Sequence, residues 1–506
     1  MSAHLLLTLP VAIPLATLVL CALLRDLPRV QRWTSVAGSL ALLAASVALL
    51  AAVFDGTVLA TQFGTWSAPF GITFVADLLA GVMVLITAVM AVAVSVYALV
   101  DGARERERAF FHPLYHGLLL GVCGAFLTGD LFNLYVWFEI MLIASFGLLV
   151  VGGTRAQLDA GVKYVTLNLV ATTLFLIAVG FLYGLTGTLN MADLSRTLPG
   201  VENQGLVSTL AVMFLIAFGS KAALFPLFFW LPAAYHTASA PVVAIFAALL
   251  TKVGVYAILR SFTLLFAGDA GFTGPIIGVV AALTMVTGVL GAAAHFDVRR
   301  ILSFHIISQI GYMLVGLAVA TPLALAGSVL YVVHHIVVKA NLFLVAGAMR
   351  LAGGSFDLKA MGGLHRSAPL LALLFAVPAL SLAGVPPLSG FWAKYVVVKS
   401  SLDAGHMVLG GVALAVGVLT LYSMVKIWNE AFWKAATPQS AQAVAHWKAA
   451  PRTRLAMLLP ITGLAAITLT IGLATEPFIE FSLRAADQLL VPASYIEAVL
   501  GQEASP

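Results

Sequence analysis

Long apolar runs, parted by short charged or Gly/Pro-rich breaks, recur along nearly the whole chain and divide it into fourteen candidate spans. Their limits fall near 3–24, 33–54, 72–100, 114–129, 131–151, 162–186, 206–230, 241–265, 274–294, 300–319, 324–349, 369–400, 407–432 and 454–475. A membrane-crossing helix needs about 20 mostly apolar residues. By that measure 114–129 is short, while 72–100 and 369–400 are long. No separate soluble domain interrupts the pattern. The first run has no Lys or Arg before Arg25 and no small-residue cleavage site, so it reads as the first span and not as a signal peptide.

Composition agrees with a membrane protein. Hydrophobic residues make up 61% of the chain and charged ones 9%, and the mean hydropathy is +1.05. A soluble chain of 506 residues would need far more charge to cover its surface. Cys21 and Cys123 both lie in apolar runs, which suggests neither a disulfide framework nor a thiolate metal site. Of the 26 basic residues, seventeen fall in loops on one side of the predicted topology, Arg104, Arg106 and Arg108 among them. Arg196, Arg260, Lys399 and Arg484 fall at or near the other side. The positive-inside rule then places both termini outside.

The remaining five, Lys221, Lys252, Lys339, Lys394 and Lys426, lie within apolar runs. A charge at the bilayer centre costs at least ~2.5 kcal/mol, and such residues usually mark a pathway or relay. Lys426 is the exception, because Glu430 four residues on offers a snorkelling ion pair. Lys221 stands just before Pro226, and Lys394 just after Pro386 and Pro387. Proline frees helix carbonyls, so spans 7 and 12 should be interrupted there. They are five spans apart, and an odd offset means opposite orientation. Spans 4–8 and 9–13 thus read as inverted repeats around a midplane site, with Lys221 and Lys394 in equivalent places.

Other polar groups join them. Glu139 is the acid in the middle of a span, and Lys221 is its expected partner; a static ion pair gluing helices would use the same two residues. His305, Ser308, Gln309 and Tyr312 form a polar stripe on span 10, suited either to proton passage or to a packing seam. His335 and Lys339 share a face of span 11, while His334 projects elsewhere. Metal binding by the two adjacent histidines lacks a third ligand.

The motifs GSKAALFPLFFWLPAAYHTASAPV, SQIGYM, HHIVVKANLF and GVPPLSGFWAKY resemble those of the antiporter-like subunits shared by Mrp-type cation/proton antiporters and respiratory complex I. The resemblance runs from about Val75 to Glu430. The opening LPVAIPL, the segment GTWSAPFGITFVADLLAG and His305 narrow it toward the Mrp branch. It implies fourteen helices, two inverted five-helix repeats, and a chain of buried ionisable groups carrying protons. By motif position, Glu139 matches the family's buried glutamate, Lys221 its paired lysine and Lys252 its central lysine. Lys339 matches the lysine of the histidine-bearing helix and Lys394 the terminal lysine, where some members carry glutamate.

The expectation is therefore an all-α integral membrane protein with interrupted helices 7 and 12. Its divisions would be 1–112 (spans 1–3), 113–266 (first repeat), 267–433 (second repeat) and 434–506 (span 14 and tail). It would be a proton-translocating subunit of a multisubunit Na+/H+ antiporter in a prokaryotic plasma membrane, a transporter and not an enzyme. It would use no cofactor or metal, bind no nucleic acid, and work among other antiporter subunits. Glu139, Lys221, Lys252, His305, His335, Lys339 and Lys394 would carry the protons. Asp77 and Asp130 are candidates for a cation site near the outer side. The alternatives are a proton-pumping subunit of a respiratory complex I or membrane-bound hydrogenase, and a purely structural scaffold.

Overall fold

The computed structural model describes residues 2–64, 66–101 and 110–501, so Arg104, Arg106 and Arg108 lie outside the described residues. Twelve helices there are long and apolar enough to cross a membrane. The shorter apolar helices Phe111–Leu127 and Pro369–Ala383, spans 4 and 12, bring the number to fourteen. Span 8 is buried throughout its apolar window, and spans 10 and 11 are 89% and 94% buried. Spans 1 and 6, at 33% and 39%, turn wide apolar faces outward. The buried spans are those carrying Lys252, His305, His335 and Lys339, so the fold puts its polar side chains in its interior.

Spans 7 and 12 are interrupted, as expected. Span 7 is Gln204–Ala222 followed by Trp230–Tyr235, and span 12 is Pro369–Ala383 followed by Ser389–Asp403. The two breaks share a construction. Ala223 (φ 62°) and Gly384 (φ 93°) turn left-handed and donate to the last carbonyls of their half-helices, Gly219 and Ser220 in one case, Leu380 and Ser381 in the other. A left-handed residue at a helix end satisfies carbonyls the helix cannot. The next residues repeat the pattern, with Leu224 N bonded to Gly219 O (2.8 Å) and Val385 N to Leu380 O (3.0 Å). Pro226 and Pro387 follow at the same distance from the turn, each after a cis bond.

A second signature marks the inverted repeat. Asp130 caps the start of span 5 and pairs with Asn190 across an isolated antiparallel bridge. Asp297 caps span 10 and pairs with Asp357 in the same way. The flanking bonds also correspond: Leu131 N to Leu189 O and Met191 N to Gly129 O in one repeat, Val298 N to Phe356 O and Leu358 N to Phe296 O in the other. Five spans separate the two, so they sit at opposite ends of the bundle.

Two features depart from the sequence reading. Residues 72–100 are not one long helix: Thr73–Ala76 is a strand, antiparallel to Leu59–Gln62, and span 3 is Leu78–Asp101. Beyond span 14, Glu476–Leu490 and Ala493–Leu500 form two further helices. They close over the hairpin, with Gln488 accepting from Leu78 N and donating to Gly56 O. We call this side the hairpin end and the opposite side the basic end.

The break in span 12 needs close backbone approach. A Cβ on Gly390 would fall 1.8 Å from the carbonyl oxygen of Ser381, whereas one on Gly411 would meet open space. Overpacking of this kind costs typically ~1–3 kcal/mol. Gly390→Ala should sharply lower the amount of folded protein in membranes, and Gly411→Ala should not; immunoblots of matched membrane fractions check this.

Candidate functional site

Two of the midplane lysines, Lys252 and Lys394, rest on carbonyls exposed by irregular backbone. In span 8 a π-turn at Phe246–Leu250 precedes Lys252, and Lys252 Nζ donates to the carbonyl of Ala247 within that turn. A π-turn shifts the hydrogen-bond ladder and leaves carbonyls to be satisfied otherwise. Lys394 Nζ donates to Ala383 O (3.0 Å), at the end of the first half of span 12, and sits 5.1 Å from the Tyr312 ring centroid. The helix dipole makes such an end locally negative. Lys339 Nζ donates to Leu302 O on span 10 (3.2 Å). A carbonyl solvates an ammonium without supplying a counter-charge.

Lys221 stands apart from these three. It lies 5.7 Å from the Phe138 ring centroid, and Glu139 is the charge acting on it. The two do not reach the 4.0 Å of an ion pair, and Glu139 Oε1 is buried without a hydrogen-bond partner.

The histidines connect the lysines. His335 is fully buried and interacts electrostatically with Lys252, Lys339, His334 and His305. His305 interacts in turn with Lys339, Lys394 and Lys426. Neither ring nitrogen of either histidine bonds to a protein group. The stripe on span 10 divides. Ser308 Oγ donates to Met285 O (3.0 Å) and Tyr312 OH to Ala413 O, which are packing bonds to spans 9 and 13. Gln309 accepts from Tyr331, whose ring stacks on Tyr312.

His334, which helical spacing sets apart from the lysines, proves well placed. Its Nδ1 meets Ser389 Oγ at 2.8 Å, Ser389 meets Ser381 Oγ at 2.9 Å, and Gly390 N donates to Ser381 Oγ. It also interacts electrostatically with Lys394. Adjacent residues on a helix point about 100° apart, so while His335 faces the lysines His334 faces the break in span 12. The serines flanking that break were the signal available in the sequence.

Two expectations need correction. Lys426 does not pair with Glu430. Its ammonium takes the carbonyls of Ala293 (2.8 Å) and His295 (2.7 Å) at the end of span 9, and Glu430 pairs with Lys434 (3.0 Å). Several unsatisfied helix-end carbonyls outcompete one half-exposed carboxylate. Lys221 and Lys394 are not equivalent, because aligning Ala223 with Gly384 leaves Lys221 before its break and Lys394 beyond its own. Asp77 and Asp130, the candidates for a cation site, both meet protein groups. Asp77 is ion-paired with Arg260 and caps Ala80 N, while Asp130 caps span 5 through Asn133 N.

Two cavities open toward this interior, the second of them lined by Lys394. One of about 360 Å³ opens at the basic end beside Asp159, Lys163, His236 and Arg300. The other, about 620 Å³, touches Lys394 and runs between spans 12 and 13 past Lys399 and Asp403.

A family model described as NADH:quinone oxidoreductase/Mrp antiporter, TM, matches residues 128–420. The chain is 47% identical to a Na(+)/H(+) antiporter subunit of Alkalihalophilus pseudofirmus, over 97% of this chain and 98% of that one. It is 41% identical to the protein of the same name from Bacillus subtilis, with the same coverage. A chain in the structure of the Mrp complex from Dietzia sp. superposes with a TM-score of 0.90 at 35% identity, covering 99% of this chain and all of that one. A chain of the archaeal membrane-bound sulfane sulfur reductase gives 0.88 at 25% identity, covering 98% of this chain and 99% of that one.

If His334 couples the row to Lys394 through Ser389, Ser389→Ala should slow sodium-driven collapse of a pH gradient several-fold while leaving membrane levels unchanged. Vesicle fluorescence at matched expression checks this.

Proposed function

This chain belongs to the NADH:quinone oxidoreductase/Mrp antiporter family of membrane subunits, and we propose that it carries the proton half of a multisubunit Na+/H+ antiport. It is a transporter subunit and not an enzyme, a multi-pass membrane protein that works beside other subunits. The observation that carries the reading is the buried row itself. Lys252, His335, Lys339, His305, Lys394 and His334 form an unbroken series of electrostatic neighbours. Cavities approach the interior from both ends of the bundle.

Glu139 and Lys221 form the switch in this proposal. When Lys221 passes on its proton, Glu139 loses its counter-charge, and the cost of a lone buried carboxylate drives reloading. The two meet the row through span 8, whose Gly254 packs against the backbone of Lys221 and Ala222. The divisions at 113–266 and 267–433 would each supply one interrupted helix to the path. The charge distribution supports a prokaryotic plasma membrane orientation with the basic end inside and both termini outside. Proton pumping in a redox complex is the weaker reading, since the 47% and 41% identities are to Na(+)/H(+) antiporter subunits.

The sodium ion is proposed to cross elsewhere. It wants several hard oxygen ligands, and a charged lysine 4 Å away costs about 4 kcal/mol at an effective dielectric near 20. Protons hop between groups and escape this penalty.

Two measurements test these points. Glu139→Gln keeps shape and removes charge, so antiport in vesicles should fall at least tenfold with the complex assembled; normal flux would defeat the role given to Glu139. Asp130→Asn should leave the half-saturating sodium concentration unchanged, since Asp130 caps span 5 and the sodium ion is proposed to cross elsewhere. A large rise would place the cation route in this chain.

A further inference from the structure

The Asp77–Arg260 contact is an ion pair shut away from solvent. Its Nη2–Oδ2 distance is 2.7 Å, with side chains 3% and 6% exposed, while pairs such as Lys163–Asp159 and Lys399–Asp403 leave 46% or more of each side chain open. The guanidinium also touches Tyr256 OH (3.4 Å) and lies 5.1 Å from the ring centroid of Tyr495, on the last described helix. Tyr256 donates its own hydroxyl proton to Phe126 O (2.7 Å). The pair thus ties the start of span 3 and the end of span 8 to span 4 and the C-terminal helix.

Its position on span 8 suggests a purpose beyond cohesion. Lys252, Tyr256 and Arg260 recur every four residues on one helix face. They mark a line from the midplane toward the hairpin end, about 12 Å long at 1.5 Å per residue. A proton on Lys252 would find this a short route out that bypasses the rest of the row. Arginine does not give up its proton in proteins, so it cannot relay one, and its fixed charge repels an approaching one. Asp77 compensates enough of that charge to keep the guanidinium buried. Buried ion pairs contribute little net stability beside apolar replacements, so stability alone does not explain it.

We propose that Asp77 and Arg260 form an electrostatic plug that closes the hairpin end of span 8, so that protons on Lys252 leave sideways toward His335 and Lys339. The proposal rests on reading Lys252 as a proton carrier.

The test uses the assembled complex in inverted membrane vesicles, with a pH gradient imposed in the absence of sodium. The variant carrying both Asp77→Asn and Arg260→Gln removes two opposite charges together and keeps a helix-capping residue at position 77. Its gradient should decay several-fold faster than the parent's. Adding Lys252→Ala should restore the parental decay. If the Gln-bearing double variant does not accumulate, Asp77→Asn with Arg260→Ser, which leaves a polar space that water can enter, is read in the same way. A tight double variant, or a leak that survives Lys252→Ala, would overturn the plug. A tight double variant beside a transport-dead Glu139→Gln would reject the plug while leaving the lysine row standing. A merely structural role would lower complex levels and antiport together, without a sodium-independent leak.

Discussion

Hydrocarbon offers no hydrogen bonds, so every ammonium and freed backbone group inside this bundle must be satisfied by protein. The structure meets both needs with the same device. Irregular backbone leaves carbonyls without donors, and buried lysines lack acceptors. Lys252 takes a carbonyl from a π-turn and Lys394 one from the end of a half-helix. Lys426 does the same at the end of span 9, nearer the basic end. Lys339, on an uninterrupted helix, instead takes the carbonyl of Leu302 on span 10.

This constraint also bears on what the site can move. Carbonyl-solvated lysines and unbonded imidazoles can lose and regain protons without dismantling an ion pair. They make a poor coordination shell for a metal cation. Where a carboxylate does enter, its distance matters. Glu139 stays outside direct contact with Lys221, whereas Asp77 closes on Arg260 at 2.7 Å. In the proposed mechanism the first arrangement switches and the second holds.

The inverted repeat supplies matching scaffolds and leaves the chemistry free to differ. The capped bridges at Asp130–Asn190 and Asp297–Asp357, and the left-handed turns at Ala223 and Gly384, correspond in their backbone bonds. The buried lysines do not obey the symmetry. Each sits where its own half-helix presents a useful environment, Lys221 before its break near Glu139 and Lys394 after its break against Ala383 O.

Much of this was legible in the chain because lipid makes the code strict. Apolar run length located the fourteen spans, proline located both interruptions, and charge within apolar runs picked out the lysines that the fold buries. Those signals are local: each reflects what one segment must satisfy when surrounded by hydrocarbon. Partner choice is not local. That Lys426 prefers the carbonyls of span 9 over Glu430, that His334 meets Ser389, and that Asp77 meets Arg260 all depend on which helices become neighbours. The hairpin at Leu59–Gln62 and Thr73–Ala76 was hidden for the same reason, since a four-residue strand is defined by the strand it pairs with. The sequence alone determined which groups enter the membrane, because transfer free energy belongs to the residue. The tertiary structure decided which of them touch, because hydrogen bonds and ion pairs depend on distances that only the packed bundle sets.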